Sequence, residues 1–114
     1  MPESLKSLNL AITFAVELAA IVGFGFWGYS LGRTPLTRWL LTIAFMGVVI
    51  LVWATFFAPT ADHRLAAAAG VLLSTLIFLL GSLGFYLAGK PTLALILALI
   101  TLLNRLLAWI WAQW

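Results

Sequence analysis

Apolar residues run almost unbroken through four stretches of the chain: Leu8 to Leu31, Trp39 to Ala58, Leu65 to Ala88, and Leu93 to Trp114. Each suffices to cross roughly 30 Å of hydrocarbon as a helix, which takes about 20 residues. Polar and helix-breaking residues gather between them, in Gly32-Arg33-Thr34-Pro35, Pro59-Thr60-Ala61-Asp62-His63-Arg64 and Gly89-Lys90-Pro91. These are turn and helix-start signals, and connections this short make sequential helices antiparallel. Backbone satisfaction in lipid leaves helices or a closed barrel, and the runs are too long and continuous for barrel strands. The pattern therefore predicts an all-α integral membrane protein, a single transmembrane domain over residues 1–114 folded as an antiparallel bundle of four transmembrane helices. The first run passes twenty residues, contains Glu17 and lacks a clear small-residue cleavage site, so it reads as a retained span rather than a secretory signal.

Composition agrees with that pattern. Hydrophobic residues make up 65% of the chain and charged ones 8%, against roughly 25% charged in an ordinary globular protein. A soluble domain is excluded. The formal charge of +3 comes from six scattered basic residues, too few for a nucleic-acid surface and better suited to membrane lipid headgroups. Without cysteine, and with His63 as the only histidine, a thiolate, haem or clustered metal site has no ligands, and no cofactor is expected. Trp27, Tyr29, Trp39 and Tyr86 fall at the end carrying the first and third connections, and Trp53, Trp109, Trp111 and Trp114 towards the other, as interfacial aromatics do. Orientation is not decided by charge. Arg33, Arg38 and Lys90 on one side face Lys6, Arg64 and a snorkelling Arg105 on the other.

Helices in lipid associate through close packing, so rows of small residues mark expected contact faces. Ala94, Ala98, Thr101, Arg105, Ala108 and Ala112 form such a row in the fourth run, and Gly70, Ser74, Gly81, Gly84 and Ala88 one in the third. The second offers Ala44, Gly47, Ala54 and Ala58, and the first Ala11, Ala15, Ala19 and Gly23. Gly23, Gly25, Gly28 and Gly32 lack the strand and lysine of a phosphate loop and read as packing or hinge points.

Glu17 is the only acid inside a span, and an ionisable group at that depth costs about 2.5 kcal/mol or more unless paired, protonated or hydrated. Nine residues separate it from Leu8, a depth of roughly 13 Å, and Arg105 lies equally far from Trp114. An even number of spans puts both ends on one face. Glu17 and Arg105 are therefore expected to form an intramembrane ion pair joining the first and last helices, within a polar cluster completed by Asn104, Asn9 and Thr13. Asp62-His63-Arg64 reads as a helix cap and solvated charges, since no nucleophile or metal partner accompanies it.

With these residues in view, the chain resembles the YrdB-like family of small bacterial membrane proteins. The likeness rests on Asn9-Leu10-Ala11, Glu17-Leu18-Ala19-Ala20 and Trp27-Gly28, on Phe57-Ala58-Pro59, and on Leu103-Asn104-Arg105-Leu106-Leu107. What it implies is four spans, a place for Glu17 and Asn104-Arg105 in the family pattern, and no assigned catalytic or transport role. It also implies a basic residue near the position of Thr13, absent here, which makes Arg105 the more necessary counter-ion.

The expected protein is a non-enzymatic structural or accessory component of the bacterial inner (cytoplasmic) membrane. Its partners would be membrane lipid and either further copies of itself or a larger membrane complex, with no nucleic acid. The alternative is a small proton-coupled exporter of lipophilic cations working as a homodimer, with Glu17 as its coupling carboxylate.

Overall fold

A computed structural model describes residues 3–58 and 63–113 of the protein. Among them are four helices, α1 (Glu3–Leu31), α2 (Pro35–Phe56), α3 (Ala67–Leu87) and α4 (Pro91–Ile110), arranged as a helical bundle. All four are long and apolar enough to cross a membrane.

Local chemistry sets the helix ends. α1 starts at Glu3 rather than Leu8, because no breaker lies between them and an acid in the first turn suits the helix dipole. α2 starts at Pro35 rather than Trp39: proline occupies the first turn, and Thr34 and Thr37 close a reciprocal capping box around it. α4 likewise opens on Pro91. At the end of α3, Gly89 takes φ +83°, and the amide of Lys90 reaches back to the Phe85 carbonyl at 2.9 Å. Only a residue without Cβ adopts that left-handed turn freely, so Gly89 stops the helix and Pro91 starts the next. α2 and α4 end at Phe56 and Ile110, short of the expected Ala58 and Trp114. Trp114 and the segment Pro59 to Asp62 lie outside the described residues.

α1 is the hub. It packs against each of the other three helices, α3 also packs against α4, and α2 rests on α1. The α1–α3 contact is backbone on backbone: Gly23 lies against the Gly81 carbonyl and Gly84 against that of Gly23, while a Cβ on Gly81 would sit 2.8 Å from the Cα of Ala20. Below this crossing, Val16, Ala20, Phe78, Phe85, Ala94 and Leu97 form the apolar core. The small-residue rows of α3 and α4 face this interior, with Gly70, Ser74, Gly81 and Gly84 buried in one and Ala94, Thr101, Arg105 and Ala108 in the other.

The row expected to pack α2 does not do so. Ala44, Gly47 and Ala54 are exposed, and a Cβ on Gly47 would meet nothing within 4 Å. The closeness comes from α1 instead, where Gly25 lies against Met46 and Gly28 against the Leu41 carbonyl. No residue of α2 is buried. Outward faces of the bundle carry large apolar side chains such as Leu36, Ile43, Leu51 and Leu72, a surface that water would not tolerate over this extent.

Candidate functional site

Near the start of α1 and the end of α4, two asparagines face each other across the helix contact. The Asn104 amide nitrogen lies 3.0 Å from the Asn9 carbonyl, 2.9 Å from Asn9 Oδ1 and 2.9 Å from Thr13 Oγ1. An amide has two N–H groups, so these acceptors share them. Asn9 Nδ2 donates in return to Gln113 Oε1 at 2.7 Å, and Gln113 Nε2 donates to the Lys6 carbonyl at 2.9 Å. The segment after α4 is thereby tied to the first turns of α1.

Arg105 extends the network to a third helix. Its Nε donates to Asn104 Oδ1 at 3.0 Å, Nη2 to Thr13 Oγ1 at 3.0 Å and Nη1 to Ser74 Oγ of α3 at 3.3 Å. Its guanidinium carbon lies 5.4 Å from the centroid of the Phe78 ring, a cation–π distance. The Thr13 hydroxyl is fully used, since it accepts from Asn104 and Arg105 and donates to the Asn9 carbonyl at 3.0 Å. Ser74 donates to Val71 O at 3.1 Å. Asn104 is 1% exposed and Arg105 4%. A cation is thus held inside the bundle by neutral oxygens from three helices.

Glu17 stands one turn beyond Thr13 and looks elsewhere. It lines a chamber of about 120 Å³ between α1, α2 and α3, with Ala20, Phe24, Trp53, Ser74 and Phe78 among its walls. The indole Nε1 of Trp53 is buried beside the carboxylate without closing a hydrogen bond. Glu17 lies in the electrostatic field of Arg105 and Arg64, but the hydrogen bonds of Arg105 go to the neutral oxygens instead. Ser74 separates the two features, as it lines the chamber and accepts from Arg105.

Of the residues expected to cluster, Asn9, Thr13, Asn104 and Arg105 are bonded directly, whereas Glu17 lines the chamber and makes no hydrogen bond to any of them. Sequence reasoning missed Ser74, Gln113 and Trp53 as polar partners. Ser74 was visible as a small residue on the inward row of α3, but its hydroxyl was not connected to the arginine. In the Asp62-His63-Arg64 segment, His63 is exposed and Asp62 falls outside the described residues. Among the described residues no three His, Cys, Asp or Glu gather as a metal site would need. The arrangement can fasten helices and present one acid to an apolar chamber.

A family model described as a protein of unknown function, DUF2568, matches residues 11–102. The chain belongs to the DUF2568 family. The DUF2568 match takes in Thr13, Glu17, Trp53 and Ser74, and ends just before Asn104 and Arg105. No curated protein and no solved structure matches the chain.

Proposed function

We propose that this DUF2568 protein is a structural or accessory component of a bacterial inner membrane, without chemistry of its own, whose four helices cross the bilayer antiparallel to one another. It would work there as a homo-oligomer or as a subunit of a larger membrane complex. The observation that carries the reading is Arg105. Its hydrogen bonds terminate on neutral groups of α1, α3 and α4 within the same chain, which suits a fixed clasp better than a group cycling between partners. The proposed Glu17–Arg105 pair is not a contact: neutral oxygens fill the arginine's hydrogen bonds, and Glu17 adds only a long-range interaction. The bacterial inner-membrane assignment rests on the YrdB-like resemblance and on the apolar outer surface.

One observation favours a second reading. The chamber combines a carboxylate with the rings of Phe24, Trp53 and Phe78, the chemistry that would receive a lipophilic cation in a homodimeric proton-coupled exporter. Uptake of several lipophilic cations into proteoliposomes under an imposed proton gradient separates the two. The accessory reading expects no accumulation above protein-free vesicles. Accumulation that Glu17→Gln abolishes would overturn it in favour of export.

A further inference from the structure

A second concavity lies on the opposite side of α1, facing outwards between α1 and α2. Gly25, Phe26 and Tyr29 of α1 and Trp39 and Met46 of α2 line this groove of about 370 Å³. Its lining runs from Val22 to Tyr29 on α1 and from Trp39 to Met46 on α2, helical rises that make the groove roughly 10 Å long. Gly25 keeps its floor low. Tyr29 and Trp39 meet edge to face at its mouth, with centroids 5.6 Å apart, where aromatic side chains mark the headgroup level of a bilayer.

The charge around that mouth has one sign. Arg38 sits over the Tyr29 ring at 5.2 Å and Lys90 over the Phe26 ring at 5.8 Å. Tyr29 and Phe26 are three residues apart on one face of α1, so the two cations flank consecutive rings of the same wall. Arg33 lies in the adjoining connection. Among the described residues no acid stands near: Glu3 and Glu17 belong to the half of α1 remote from this mouth. The guanidinium of Arg38 uses Nε on the Gly32 carbonyl at 3.2 Å, leaving its terminal nitrogens for another acceptor.

We infer that this groove is a seat for an anionic phospholipid, with the phosphate between Arg38 and Lys90 and one acyl chain along Gly25 and Met46. A zwitterionic lipid would place the same chain in the groove but bring its own cation to a site that already holds two. The inference rests on the membrane-spanning reading. The groove supplies the acyl contact and the cations supply the selection, so a phosphate without a chain is not the occupant.

The test uses the full chain reconstituted in nanodiscs of equal phosphatidylglycerol and phosphatidylcholine, then released into native mass spectrometry to count the lipids retained. Incorporation into the disc reports on membrane insertion, and lipid identity reports on the seat, so the two failures are distinguishable. The expected result is about fivefold preference for phosphatidylglycerol, lowered by Lys90→Gln and brought near parity by Arg38→Gln with Lys90→Gln. Lys90 is exposed and makes no side-chain cap bond, so its variant leaves the start of α4 intact. Lys6→Gln, at the far end of α1, should leave the preference unchanged. Parity in the unsubstituted protein, or an equal loss with Lys6→Gln, would overturn the proposal, the latter by showing that net charge alone attracts the lipid.

Discussion

Replacing Asn104 with leucine keeps its branched outline, at a somewhat larger volume, and removes its polarity. It deletes two donated hydrogen bonds to α1, each worth about 0.6 kcal/mol and at most about 1.7 in membrane helix pairs. It also strips the Arg105 Nε–H of its acceptor, Asn104 Oδ1, and a buried donor left unpaired costs about 1–3 kcal/mol. Together these destabilise the bundle by about 2–4 kcal/mol. Asn9→Leu removes the matching side of the same contact, so the double variant should lose about 1 kcal/mol less than the two single losses added. Reversible unfolding in bicelles, followed through α1–α4 separation by a fluorescence pair, gives all four corners of this cycle. A loss below about 1 kcal/mol for Asn104→Leu, or strict additivity in the cycle, would refute the view that the asparagines fasten first helix to last.

Thr101, one turn before Arg105, is 0% exposed and its hydroxyl has no hydrogen-bond partner among the described residues; Thr101→Val should be neutral or stabilising by up to about 1 kcal/mol in the same unfolding assay. Gly81→Ala drives a methyl into the Ala20 backbone and should cost about 1–3 kcal/mol, whereas Gly47→Ala meets open space and should gain about 0.5–1 kcal/mol from helix propensity. A melting comparison of those two variants checks both signs. Arg105→Gln should destabilise by about 2–4 kcal/mol, since it removes charge-assisted bonds to three helices. Glu17→Gln, which disturbs none of those bonds, should cost about 1 kcal/mol or less, and equal losses from the two would contradict a clasp centred on the arginine.

The four apolar runs each form a helix long and apolar enough to cross a membrane, as their length and hydropathy predict. Helix starts differ from the apolar runs where capping outweighs hydropathy: Thr34-Pro35 is itself a start signal, four residues before Trp39. Matching depths pair Glu17 with Arg105, whereas the structure bonds Arg105 to Thr13, one turn earlier, with Asn9 and Asn104 alongside. Depth carries no azimuth. Glu17 follows Thr13 by one turn, yet its carboxylate lines the chamber beside Trp53, a contact that depends on how α2 lies across α1. The same gap misled the reading of α2, because Ala44, Gly47 and Ala54 form as regular a row as those of α3 and α4. A row of small residues shows that close approach is allowed, while the partner's glycines decide which face receives it, and here Gly25 and Gly28 of α1 do so.

The uneven attachment of α2 divides the molecule. α1, α3 and α4 are cross-linked by asparagine, arginine and serine hydrogen bonds. α2 has no buried residue and, among the described residues, no side-chain hydrogen bond to those three helices. Its attachment is close packing on the glycine face of α1, with ring contacts from Phe45 to Trp27 and from Trp39 to Tyr29. Both concavities, the acidic chamber on one side and the aromatic groove on the other, have this helix as a boundary. Any displacement of α2 against α1 would therefore change both spaces at once.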